Sequence, residues 1–116
     1  MAIATTALKN TLATSYKTAV VYAALFTTDP GTTGTVVGEV SGGTYARVII
    51  TWGTVTGGVV TGTATLNVPT GTTIAFAAGC TSATAGTADL QDKVAITSQA
   101  FATAGTYALT LTFTES

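Results

Sequence analysis

Five carboxylic acids (Asp29, Glu39, Asp89, Asp92 and Glu115), one thiol (Cys80) and no histidine are what this chain offers to acid–base, nucleophilic or metal chemistry. Without histidine there is no Ser-His-Asp or Cys-His relay, and the commonest metal ligand is missing. A four-ligand zinc site cannot be assembled from a single cysteine. Paired carboxyls can hydrolyse glycosides when they flank the scissile bond. Asp89 and Asp92, however, are close neighbours in what reads as a polar turn, where solvation is their ordinary fate. The same pair lacks the oxygen ligands in register that Ca²⁺ needs. The GTTG and SGGT segments carry glycine and hydroxyls, but no lysine follows them and no strand–loop–helix context surrounds them, so they fail as phosphate loops. Cys80 has no charged or imidazole neighbour in sequence to activate it and reads as a small buried hydrophobe, with an intermolecular disulfide or reactive thiol as the lesser alternative. The expectation is a protein that is not an enzyme, with no cofactor and no metal.

Composition turns the question toward structure. Charged residues are 8% of the 116, against about 25% in an ordinary domain. Polarity comes instead from threonine, about a quarter of the chain. Threonine is β-branched and suits a pleated, half-buried surface. A hydrophobic fraction of 47% argues against disorder. Lys9, Lys17, Arg47 and Lys93 are scattered singly. Nucleic acid and anionic membranes, which both need clustered cations, are therefore not expected as partners. The apolar run AVVYAALF at 19–26 is too short to span a bilayer and reads as a buried strand rather than a leader, which implies cytoplasmic synthesis.

The elements follow from periodicity. Residues 2–18 contain no glycine or proline, and Leu8, Leu12 and Tyr16 recur at i, i+4, i+8, along one side of a helix. An extended docking arm is the competing reading, and in either form these three side chains are candidates for an assembly contact. Strands are expected at 20–27, 45–52, 59–68 and 73–80, with a short one around 93–96 and a last one over 107–114. Within 59–68, Val60, Ala64, Leu66 and Val68 share even spacing, and Gly62 on that set marks a bulge or a close backbone approach. Gly57-Gly58 has hairpin-turn chemistry. In YALTLTFT, Tyr107, Leu109, Leu111 and Phe113 face one way and a threonine ladder faces the other. These patterns predict a mainly β fold: an antiparallel β-sandwich or jelly-roll-like barrel of about six to eight short strands. The expected division is a helix or arm at 1–18 and a single sandwich domain at 19–116.

The stretch LFTTDPGTTGTVVGEVSGGTYARVIITW carries a more specific pattern. Asp29-Pro30-Gly31 is a turn: aspartate caps it, proline presets φ and glycine supplies positive φ. Glu39 and Arg47 are the nearest opposite charges and are expected to pair across the long loop. Gly42 and Gly43 close that loop, and Tyr45 and Trp52 are amphipathic rings suited to pin it on the sandwich. The rival reading makes the two rings a platform for a sugar.

With T-x-DPG-x-x-G at 27–34, EV-S-GG-x-YAR at 39–47 and the closing Thr51-Trp52, this stretch resembles small virion proteins of tailed bacteriophages, especially those infecting actinobacteria. Such proteins are described as tail fibre or minor tail proteins, and related small β proteins decorate capsids. The likeness continues more weakly through VTGTATLNVPTGTTI and AGTYALTLT. The chain departs from the pattern at Phe26, where many relatives carry histidine, and after Ile74. The resemblance implies a structural protein exposed on the virion and held by contacts with capsid or tail proteins. A sandwich of this size is expected to form a symmetric homo-oligomer, with a trimer favoured as at capsid three-folds. A host-glycan-binding module, on a tail fibre or secreted, is the alternative, with loops 31–43 and 81–87 as its contact surface.

Overall fold

The computed structural model describes residues 5–114. Residues 2–4 of the expected helix, and Glu115, lie outside them. Helix α1 runs Thr6–Ala19. It starts where Thr5 caps it, the hydroxyl accepting the Leu8 N–H at 3.3 Å. Thr11 and Thr18 sit in the helix with their hydroxyls donating to the carbonyls one turn back, Ala7 and Thr14. Lys17 lies in the last turn, where the helix dipole favours a cation.

Seven strands follow: β1 Tyr22–Phe26, β2 Val48–Ile49, β3 Thr51–Trp52, β4 Val59–Val68, β5 Thr72–Cys80, β6 Leu90–Phe101 and β7 Gly105–Thr114. They form two antiparallel sheets, ordered β2-β1-β5-β6 and β3-β4-β7. The mainly β reading with an N-terminal helix therefore holds.

Burial explains the different sequence texture of the two sheets. Along β4 the even positions are buried and the odd ones exposed or half-exposed, so one face meets the core and the other meets water. β1 is buried at four of its five residues, and its run is continuous rather than alternating. The cause is a second layer on that sheet. Ala23, Leu25 and Ala77 face inward to Leu66, Val68, Ile74 and Leu109. Ala24, Phe26, Ala78 and Cys80 face outward into a smaller cluster with Val36, Phe76 and Leu90. The long loop at 27–47 and the loop at 81–89 lie over that outer cluster.

Three expectations are corrected by the tertiary fold. The strand expected over 45–52 is broken: β2 pairs with β1, β3 pairs with β4, and buried Ile50 sits at the crossing from one sheet to the other. Its N–H still donates to Val21 O at 2.9 Å, and Gly53 N–H donates to Thr61 O at 2.8 Å, so the crossing loses no backbone pairing. Tyr45 precedes the strand instead of starting it. The short strand expected at 93–96 is the middle of the twelve-residue β6. β6 is an edge strand exposed along most of its length, so no hydrophobic period marked its ends.

Gly57 and Gly58 both have positive φ (59° and 79°) and close a two-residue turn, with Thr56 and Val59 exchanging both backbone hydrogen bonds at 3.0 Å. The threonine ladder is present: β7 pairs with β4 through ten consecutive residues, Thr61 faces Thr112, and their hydroxyls are 3.3 Å apart.

Candidate functional site

The polar centre of the structure is built on Arg47, which follows the loop closed by Gly42 and Gly43. Those two glycines have φ of 94° and 55°, a backbone that side-chain-bearing residues avoid, and Tyr45 N–H donates to Gly42 O across the turn. The Arg47 side chain is completely buried. Its donors are engaged all round. Nε donates to Glu39 Oε2 and Nη2 to Glu39 Oε1, each at 3.0 Å, forming a two-pronged pair. Nη1 donates to Asp89 Oδ1 at 2.8 Å and to Ser82 O at 3.0 Å, and Nη2 also donates to Thr87 O at 3.0 Å.

Glu39 is equally occupied. Its Oε1 accepts from the Gly86 N–H at 3.0 Å, and its Oε2 accepts from the Tyr45 hydroxyl at 2.8 Å. The Tyr45 oxygen in turn accepts the Leu25 N–H at 3.2 Å. Asp89 holds the same loop from the other side by accepting the Ser82 N–H. One guanidinium thus joins the 27–47 loop to the 81–89 loop over the outer apolar cluster. No buried side-chain polar atom among the described residues lacks a partner.

The electrostatics follow. Burial opposes charge on Glu39, but Arg47, the Gly86 N–H and the Tyr45 hydroxyl outweigh it and hold the carboxyl below its ordinary range. Burial also opposes charge on Arg47, and the paired carboxylates reverse that and hold it above its ordinary range. The Tyr45 hydroxyl is pushed up by burial, with Glu39 adding to the rise. Burial pushes the Cys80 thiol up to about 11, so at neutral pH it is a protonated, unreactive packing group.

A depressed Glu39 stabilises the fold above its unfolded value near 4.5, and that contribution is lost as pH falls through the depressed folded value. The melting temperature is therefore expected to stay level from neutral pH down to about pH 5 and to fall in more acid solution. Glu39→Gln should flatten that acid limb. Equal acid sensitivity in parent and variant would show that Glu39 is not the group responsible.

The expected residues are distributed as follows. Glu39 and Arg47 pair as the sequence indicated, and Tyr45 joins them through its hydroxyl. Asp29 makes its turn by accepting the Gly31 N–H at 2.9 Å and also pairs with the Lys93 ammonium at the surface. Pro30, next in that turn, is buried. Trp52 does not pin the loop. Its Nε1 donates to Val20 O at 2.8 Å, and it fixes the exit of α1 instead.

Of the three candidates for an assembly contact, Tyr16 is engaged within the chain and Leu8 and Leu12 are not. Tyr16 stacks on Phe113 with centroids 4.1 Å apart, meets Trp52 edge-on and donates to Asp92 at 2.6 Å, while Leu8 and Leu12 are exposed. Asp89 and Asp92 are not free turn carboxylates: one belongs to the Arg47 cluster and the other anchors Tyr16. Sequence reasoning missed Asp89 because its partner lies 42 residues away. The only signal was that a third charge is unusual in so uncharged a chain.

What this arrangement can do chemically is hold two loops rigid. Among the described residues no group of His, Cys, Asp or Glu is placed to hold a metal ion, and no helix is long and apolar enough to cross a membrane. A family model described as Podophage GP4 fiber I protein gp80 matches residues 2–113. The chain belongs to this family. It is a bacteriophage protein of the fibre type and so a structural component of the virion. Comparison with curated proteins and with solved structures gives no match. The family match spans α1, both sheets and the Arg47 cluster, so the clamp lies within the matched region.

Proposed function

We propose that this chain is a non-enzymatic structural module of a phage tail fibre, exposed on the particle and held there by contacts with its own copies and with other tail proteins. The family match over residues 2–113 carries this reading and favours the fibre over capsid decoration. The shape agrees with it: the described residues measure 47 × 25 × 23 Å, elongated as a segment of a fibre would be. The motif at 27–52 points further, to a phage of actinobacteria.

The two aromatic rings bear on the glycan alternative. Tyr45 spends its hydroxyl on Glu39 and Leu25, and Trp52 lies over Gly62 and meets Tyr16 edge-on. Both rings are thus used in packing, which favours a stabilising role over a sugar platform. The clamped loops then serve as a fixed outer surface rather than an adaptable one.

The test is the position of the protein on an intact particle. Cryo-electron microscopy of parent phage and of a phage lacking the gene should show density lost from the tail fibres, with heads unchanged. Loss of density from the capsid surface would replace the fibre reading with decoration. A glycan array probed with the purified chain should give no binding, and specific binding that is lost on altering loop 81–87 would establish the receptor-contact alternative.

A further inference from the structure

The segment 81–89 joins β5 to β6, and polar contacts alone fasten it. It buries no apolar side chain: Ala83, Ala85 and Ala88 are exposed, and none of its residues belongs to either apolar cluster. Its hydrogen bonds to the body of the fold converge on one ion pair. Arg47 donates to the carbonyls of Ser82 and Thr87 and to the Asp89 carboxylate, and Glu39 accepts the Gly86 N–H. Beyond that pair the ties are at its two ends. The Thr81 hydroxyl donates to Ala19 O at 3.3 Å, and Asp89 O accepts from the Gln91 side chain at 3.1 Å. The segment also holds its own shape: Asp89 accepts the Ser82 N–H, Ser82 Oγ accepts the Thr84 N–H, and Thr84 O accepts the Thr87 N–H.

The pair that holds the segment belongs to the sandwich. Glu39 bridges to Phe26, the Val40 N–H donates to Leu25 O at 3.0 Å, and Val40 and Tyr45 pack with the inner cluster. The segment can therefore leave while its fastening stays in place. We infer that residues 81–89 are a latched strap, which opens as one piece over Arg47 while both sheets remain folded. Opening forfeits no apolar burial and returns conformational freedom to the whole segment. Water replaces the strap as acceptor for the freed Arg47 donors, and Glu39 stays beside the guanidinium as its counter-charge. The strands around the inner cluster have no such route, because each would lose ladder hydrogen bonds and core contacts together. Latched, the strap is part of the fixed outer surface. Unlatched, it uncovers the guanidinium and the end of β5, so this face of the chain changes without refolding of the sandwich. Cys80 reports the event. It is completely buried, it directly precedes the strap, and Arg47, Asp89 and Glu39 all lie near enough to act on its thiol.

Alkylation of Cys80 in the purified full-length chain, at about pH 8.5 where an uncovered thiol ionises, tests this. In the parent, Cys80 should be labelled slowly, yet faster than the whole chain unfolds as followed by Trp52 fluorescence. The labelling rate should rise only weakly with urea, because a strap exposes little surface. Asp89→Ala removes one side of the latch and should speed labelling by more than about tenfold, with the strand signal in circular dichroism unchanged. Asp89→Asn should fall between the two, since its amide oxygen can still accept from Arg47 or from the Ser82 N–H. Labelling that matches global unfolding in rate and urea dependence would overturn the proposal. So would labelling of the parent as fast as that of an unfolded chain, or labelling unaffected by Asp89→Ala. If Asp89→Ala fails to fold, the urea dependence of the parent decides alone.

Discussion

Arg47→Ala should melt about 12–20 °C below the parent, following a loss of roughly 3–5 kcal/mol for breaking a buried ion pair. The size of the effect comes from what is left behind rather than from the attraction removed. Two carboxylates, Glu39 and Asp89, remain beside each other with no cation, and the carbonyls of Ser82 and Thr87 lose their donors. The outer apolar cluster around Phe26 and Cys80 loses its cover at the same time. Lysine should not rescue the variant: a single ammonium cannot reproduce the two-pronged contact with Glu39 while also reaching Asp89, Ser82 and Thr87. The parent's sensitivity to acid should shrink in Arg47→Ala, since the main influence lowering Glu39 has gone. Differential scanning calorimetry of Arg47→Ala and Arg47→Lys checks this. A shift within about 2 °C of the parent, the range of ordinary surface changes, would mean that the loops hold without the clamp.

Gly62→Val is the second large effect expected, in the opposite sheet. Gly62 lies on the buried face of β4, and a Cβ placed there would come within 2.5 Å of Ile50 Cγ2 and 2.6 Å of the Trp52 ring. Neither neighbour can yield cheaply. Ile50 is the buried residue at which the chain changes sheets, and the Trp52 indole is tied to Val20 O and packed on Tyr16. A cost of about 3 kcal/mol, toward the upper end for overpacking, should lower the melting temperature by about 12 °C. Near-ultraviolet circular dichroism should report the displaced tryptophan. Trp52→Ala combined with Gly62→Val should cost less than the sum of the two single changes, because the part of the clash made with the ring is removed and only that with Ile50 remains. Strict additivity would show that Gly62 is small for some other reason.

Much of the fold was legible because local chemistry and burial agreed. β4 and β7 each have one face in water, so strict alternation marked their positions, and Gly57-Gly58 announced the turn before β4. The pairing of Glu39 with Arg47 was readable because so few charges exist that each had a short list of partners. Gly62, the single residue on the buried set that lacks a side chain, marks a close approach, but of the Ile50 and Trp52 side chains rather than of another backbone, and β4 has no bulge there. Where these signals were weak, so was the reading. β6 is mostly exposed, and an exposed edge imposes no period. The break at Ile50 was invisible because residues 48–52 remain extended and hydrogen-bonded on both sides of it, so the residues suit a strand throughout.

The sequence by itself determined that this is a β protein with little to offer acid–base or metal chemistry, that its central stretch has the pattern of phage virion proteins, and that Arg47 needs an acidic partner. Only the tertiary structure decided that the partners are two, that Asp89 reaches Arg47 from a loop 42 residues away, and that Trp52 serves the helix rather than the loop. It also decided that β7 is an edge and not an inner strand. The reason is common to all four. Composition and periodicity report how one segment meets water and core, whereas ion-pair membership, ring packing and strand order depend on which distant segments the folded backbone places side by side.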